Sequence, residues 1–285
     1  MLSLHTNAAS LSTQTALGST QSALSTSMSR LGSGYRINSA MDDAAGLQIA
    51  TRLDAQTRGM AVASRNTQNG ISMMQTAEGA FGEVSNILLR MKDLATQAAD
   101  ASSSATDQTA MQSEFDALGL EMKNIMTNTS FGGAALLKGG KLAAAMTFQI
   151  GSSSSETMSV NLSADMTTLD TALGTVSTNY TAAATGTELT AAGSANTMIN
   201  TINGAIDNVG TLRAALGANS NRLDHVYNNL SNMSNNTTQA KGRIMDVDYA
   251  SETANMTSKQ MLMQAGSAML KQSSSMSQLV MSLMQ

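Results

Sequence analysis

From Ile49 to Ala98 this chain repeats apolar residues at three- and four-residue steps, and no proline occurs in any of its 285 positions. The seam runs through Ile49, Leu53, Gln56, Met60, Ala63, Thr67, Gly70, Met74, Ala77, Phe81, Val84, Leu88, Met91, Ala95 and Ala98, and only Gln56, Thr67 and Gly70 fail to be apolar. A stripe held this long at helical spacing is the pattern of a coiled coil. Without proline the strongest helix breaker is missing, which leaves glycine as the main punctuation. A helix is therefore expected from about Asp42 to Ala99, with an interruption allowed near Gly70. Near the other end, Ile199, Ile202, Ile206, Val209, Leu212, Leu216, Leu223, Val226, Leu230 and Met233 form a second stripe, interrupted at Asn219, that supplies a partner surface.

Both extremities carry thinner stripes. Leu4, Leu11, Leu17, Leu24, Met28 and Leu31 lie in a segment otherwise rich in Ser, Thr, Gln, Asn and Ala. Met256, Met261, Leu262, Ala265, Met269, Met276, Leu279, Val280 and Leu283 lie in the last segment, from about Tyr249. Ordering backbone costs about 1 to 2 kcal/mol per residue, and burying a large apolar side chain returns about 1.5 to 3 kcal/mol. With so few such side chains, neither end is expected to hold a helix alone.

Between these stripes the signals are local. Gly32-Ser33-Gly34-Tyr35-Arg36 breaks the first helix, and Ser39-Ala40-Met41-Asp42 has the capping-box form that opens the next. A spoke or hinge is expected there, with Asp42 and Asp43 pairing with Arg30, Arg36 or Arg243. After Asp100 to Ser104, a shorter helix is expected from about Asp107 to Met126. Phe131-Gly132-Gly133 and Lys138-Gly139-Gly140 mark turns. Met146 to Ile150 and Thr157 to Leu162 alternate as the two strands of a hairpin. From Ala164 to Ser194 the pattern weakens, with Leu169, Leu173 and Val176 as anchors for small local structure.

Composition narrows the function. The chain is 42% hydrophobic but only 3% aromatic, so Met and Ala must fill the core. The absence of cysteine removes disulfides and thiolate metal sites. A net charge of -4 speaks against nucleic-acid binding. Met1 to His5 lacks the basic stretch and apolar run of a cleaved signal, and no run of about 18 apolar residues suits a membrane-spanning helix. Gly139-Gly140-Lys141 is no phosphate loop, because Leu142 stands where Ser or Thr is needed and Ala135 replaces the first glycine. His5 and His225 lie on distant segments. Asp42-Asp43 and Asp246-Val247-Asp248 lack the glycine of a calcium loop and suit helix starts instead. No catalytic, cofactor-binding or metal-binding residue is expected, and no enzyme.

The run Arg30-Leu31-Gly32-Ser33-Gly34-Tyr35-Arg36-Ile37-Asn38-Ser39-Ala40-Met41-Asp42-Asp43-Ala44-Ala45-Gly46 closely resembles the signature near the start of bacterial flagellins. The likeness continues through Ala63 to Asn66, Asn69 to Ser72 and Gln75 to Ala80. It resumes at Arg243-Ile244-Met245-Asp246-Val247-Asp248-Tyr249-Ala250 and Gln264-Ala265-Gly266. It spans roughly the first 150 and last 90 residues, and the short middle is similar to lateral-type flagellins.

This resemblance implies a mainly α fold, a long antiparallel coiled-coil bundle of N- and C-terminal segments with a small β-hairpin region between them. Residues 1–41 and 245–285 would be the terminal helices of an inner filament core. Residues 42–162 and 195–244 would form the helical bundle and hairpin, and 163–194 a short outer region. It implies a homopolymer that builds the extracellular flagellar filament for motility. The subunit would be exported through the type III channel without a cleaved signal, and an export chaperone, the filament cap and hook-associated proteins would be its partners. Core packing would fall to Leu4, Leu11, Leu17, Leu24, Met28, Leu31, Met261, Leu262, Met269, Leu279, Val280 and Leu283, and the spoke to Arg30, Arg36, Asp42, Asp43 and Arg243. Arg90, Leu94, Gln97 and Glu114 match flagellins detected by a vertebrate innate receptor. The end Val280-Met281-Ser282-Leu283-Met284-Gln285 departs from the leucines and terminal arginine usual in the family. Alternatives are a hook-filament junction protein, disfavoured by Ala44-Ala45-Gly46 where that family carries proline, and a secreted type III translocator or adhesin.

Overall fold

The computed structural model describes residues 7–182 and 184–283, the side chains of 276–283 excepted. The long helices are α1 (Ala8–Ser33), α2 (Ala44–Ala98), α3 (Ala105–Asn128), α6 (Ser194–Met245) and α7 (Tyr249–Leu283). Between α3 and α6 lie β1 (Ser130–Phe131), β2 (Ala134–Ala135), β3 (Met146–Gln149), β4 (Thr157–Val160), α4 (Ser163–Val176) and α5 (Thr178–Thr181). The fold is mainly helical, with two small antiparallel sheets. The chain divides into two compact units, one from residues 1–57 with 235–285 and the other from 58–234.

In the first unit α1 runs antiparallel to α7. Asn7 caps α1 by accepting from the Ser10 N–H at 3.0 Å, and its amide donates to the Ser273 carbonyl at 3.1 Å. Farther along, Leu17 borders Gly266, and Arg30 Nη1 lies 3.9 Å from Glu252 Oε2. Gly34 ends α1 with φ 75°, its N–H returning to the Arg30 carbonyl at 2.9 Å. That left-handed conformation is the common glycine C-cap, and an added Cβ would sit 2.9 Å from the Tyr249 hydroxyl.

The second unit holds the main core. The α2 seam is buried from Met60 through Ala63, Met74, Ala77, Phe81, Val84, Leu88, Met91 and Ala95. Phe115, Met122 and Met126 of α3 and Ile202, Val209, Leu212, Leu216 and Leu223 of α6 join it. Thr67 is buried as well, and its hydroxyl donates to the Ala63 carbonyl at 2.8 Å, so a polar residue in the seam is satisfied within its own helix. No break occurs at Gly70, where α2 continues with Leu223 and Phe148 close by.

The hairpin forms as its alternation demands, with Met146 opposite Val160 and Phe148 opposite Met158. A second, shorter pair of strands turns at Gly132-Gly133. The weakly patterned stretch after Leu162 is more ordered than its sequence suggests. Helix α4 buries Met166, Leu169, Leu173 and Val176, and Tyr180 beyond it is fully buried with its hydroxyl donating to Asp170. Lys138 Nζ reaches Asp170 at 2.8 Å and lies 4.2 Å from the Tyr180 ring centre.

Candidate functional site

The loop from Gly34 to Asp43 is held to the start of α7 and the end of α6 by backbone as well as charge. The Arg36 N–H donates to the Met245 carbonyl at 2.6 Å, and its guanidinium to the Ile244 carbonyl at 2.9 Å. The Val247 N–H returns to Gly34 at 3.0 Å, and Tyr35 bridges Asp246. Arg30 stands 3.9 Å from both Asp42 and Glu252. Arg243 sits in the last turn of α6, where a cation favours the negative end of the helix dipole.

The two aspartates of the loop divide the work. Asp42 Oδ2 accepts from the N–H groups of Ser39 and Asn38 at 2.9 and 3.1 Å. Those main-chain donors, Ser39 first, hold its carboxyl below the usual range, helped by the Ser39 hydroxyl and Arg30. Asp43 instead accepts from the Gly46 N–H at 2.8 Å. This corrects the expected capping box: Ser39 and Asp42 close a turn, and the helix begins at Ala44 under Asp43. The reason is that the Asp42 N–H bonds the Ser39 carbonyl at 3.1 Å, not the hydroxyl, which receives Met41 instead. A full capping box does occur at Ser104 and Asp107, where the sequence reading started α3 too late. The Ser104 hydroxyl is the largest influence lowering the Asp107 carboxyl. At the head of α7, Asp248 accepts from the Ser251 hydroxyl at 2.6 Å and the Ala250 N–H at 3.0 Å, which lower its carboxyl in that order.

The terminal helices present a different surface. Of the residues expected to pack the filament core, Leu24 is buried and Leu17 and Leu31 are half-buried. Leu11, Met28, Met261, Leu262 and Met269 are exposed. Leu4 lies outside the described residues, as do the side chains of Leu279, Val280 and Leu283. Sequence reasoning missed two ion pairs of this unit, Arg30 with the buried Glu252 and Lys241 with Asp54. Neither has a local motif, because each pair joins residues far apart in sequence.

The four residues of the receptor pattern separate by environment. Arg90 and Glu114 pair across α2 and α3 at 2.6 Å on the surface, and Gln97 is exposed. Leu94 is only 2% exposed and belongs to the core. No helix among the described residues is long and apolar enough to cross a membrane.

Comparison with known proteins gives this arrangement its context. The family model described as "Bacterial flagellin N-terminal helical region" matches residues 4–141, and "Bacterial flagellin C-terminal helical region" matches 199–284. The flagellin of Halalkalibacterium halodurans is 39% identical over 90% of this chain and 89% of its own. "Flagellin C" of Vibrio cholerae serotype O1 is 32% identical over 95% of this chain and 96% of its own. A crystal structure of Bacillus cereus flagellin, 33% identical, covers 58% of this chain and 88% of that one with a TM-score of 0.48.

Proposed function

This chain belongs to the bacterial flagellin family and is a subunit of the flagellar filament, and we propose that α1 and α7 are its inner packing surfaces, which gain their full stability only against neighbouring copies. One observation carries the reading. Among the described residues, the unit built from the two chain ends buries only Leu24, Ile37 and Ala50 as apolar core. Its two helices meanwhile leave Leu11, Met28, Met261, Leu262 and Met269 in solvent. Exposed apolar surface of this kind marks a contact to be made, and helices short of buried surface order when a partner supplies it.

Contacts between different faces of successive copies do not close, so they propagate as a helical polymer. In this reading Arg30, Arg36, Asp42, Asp43 and Arg243 form the spoke that fixes where the chain leaves the inner helices. Residues 163–194 form a short outer region. The subunit travels unfolded through the type III export channel, with a chaperone shielding its last helix, and meets the cap and hook-associated proteins at the growing structure.

A truncation ending at Ala254 tests the assembly reading. Electron microscopy after seeding is expected to show filaments from the full chain and soluble folded protomers from the truncation; filaments from the truncation would overturn it. Recognition by a host innate receptor is a separate part of the proposal, in which Arg90, Gln97 and Glu114 make the contact and Leu94 supports them from beneath. Arg90→Ala is then expected to weaken a receptor-reporter response by about tenfold, the equivalent of roughly 1.4 kcal/mol, without changing the fold. An unchanged response would remove this surface from the proposal.

A further inference from the structure

Methionine is unevenly exposed in this protein. Met60, Met74, Met91, Met122, Met126 and Met158 of the second unit are all buried. The most exposed described methionines all fall in the unit made of the chain ends: Met28 at 56%, Met41 at 97%, Met261 at 59% and Met269 at 65%. Three of them, Met28, Met261 and Met269, stand on α1 and α7, on surfaces that the filament reading expects neighbouring copies to cover. Exposed thioethers oxidise readily, and the product exchanges an apolar group for a polar one.

We propose that Met28, Met261 and Met269, spaced along α1 and α7, are oxidant-sensitive positions of the unassembled protomer, at which sulfoxidation by a hydroperoxide blocks addition to the polymer. The proposal rests on the filament reading above. With hydrogen peroxide as the oxidant, the thioether sulfur attacks one peroxide oxygen and the O–O bond breaks. A sulfur–oxygen bond forms and the second oxygen leaves as hydroxide, which takes the proton from the sulfur-bound oxygen, giving sulfoxide and water. Sulfur loses two electrons and peroxide gains them. A sulfoxide oxygen pressed into an apolar contact without a hydrogen-bond donor is unfavourable, on a scale that raises the concentration needed for assembly about tenfold or more per site. Assembly in turn hides the sulfurs, so finished filament is protected where the free protomer is not.

The test treats full-length protomer with hydrogen peroxide, maps sulfoxides by peptide mass spectrometry, and follows seeded polymerisation by light scattering. Met28, Met261 and Met269 are expected to oxidise before Met60, Met74 and Met122, and the oxidised protomer to assemble at least tenfold less well. The triple variant Met28→Leu, Met261→Leu, Met269→Leu is expected to assemble equally well with and without peroxide. Met41→Leu is expected to remain as sensitive as the parent chain, and Met269→Gln, which puts a polar group in the same place, to assemble poorly without oxidant. Equal assembly of oxidised and untreated parent protein would overturn the proposal. So would sensitivity abolished by Met41→Leu alone, or oxidation that begins at the buried methionines. Failure of untreated parent protein to polymerise on seeds would instead count against the filament reading, which keeps the two failures distinct.

Discussion

A single carboxylate, that of Asp43, sets the start of α2 by taking up the Gly46 N–H, which no turn of helix can satisfy from behind. Asp43→Ala is expected to cost about 1 kcal/mol, seen as faster amide exchange at Ala45 and Gly46. Gly46 itself has no room for a side chain, since a Cβ there would lie 2.8 Å from Ile37 Cδ1, and Ile37 is among the few buried residues of its unit. Gly46→Val should therefore disturb the loop more than Asp43→Ala does. Acid acts on the same scale. Asp42, Asp107 and Asp248 all titrate below their ordinary 3.8 because they accept hydrogen bonds as carboxylates. A depressed carboxyl stabilises the fold fully above its unfolded value and loses that contribution as pH falls through the folded value. The loop and both helix starts should thus loosen in acid and be indifferent to mild base. Carboxyl titration by NMR is expected to give midpoints below 3.8 for all three, and a midpoint at or above that value contradicts the hydrogen bonds described.

Among the elements, the long ones were legible because their information is periodic. The α2 seam announces a helix across its whole span, and its polar members needed only local remedies, such as the bond from Thr67 back to Ala63. The β3 and β4 hairpin was legible for the same reason, since Phe148 and Met158 alternate with polar residues on facing strands. Less could be read where one side chain chooses between neighbouring donors. The start of α2 turned on whether Asp42 or Asp43 took the free N–H groups, and the start of α3 on Ser104, three positions before a carboxylate. The stretch from Ser163 to Thr181 was obscure because its order comes from afar. Lys138, in a preceding turn, meets Asp170 of α4, and Asp170 receives the hydroxyl of buried Tyr180. Burial above all, then Asp170, pushes the Tyr180 phenol far above its ordinary range, so it stays a hydrogen-bond donor at any working pH. Tyr180→Phe is expected to cost about 1 to 2 kcal/mol in denaturant unfolding, because Asp170 keeps Lys138 but loses its neutral donor.

In the whole molecule, the two units differ in how much apolar surface they bury. Residues 58–234 carry a continuous core running from Met73 and Phe81 to Leu216 and Leu223. The unit from the chain ends buries three apolar residues among those described and shows six large ones on α1 and α7 to solvent, Tyr249 included. In the proposed reading, one unit stands by its own packing and the other gains its full stability only against other copies. Amide hydrogen exchange on residues 8–33 and 249–275, compared between dilute protomer and seeded filament, tests this dependence on neighbours. The account predicts weak protection of both helices in the protomer and strong protection in the filament, with residues 74–98 protected equally in each. Strong protection of α1 and α7 in the isolated, dilute protomer would contradict it.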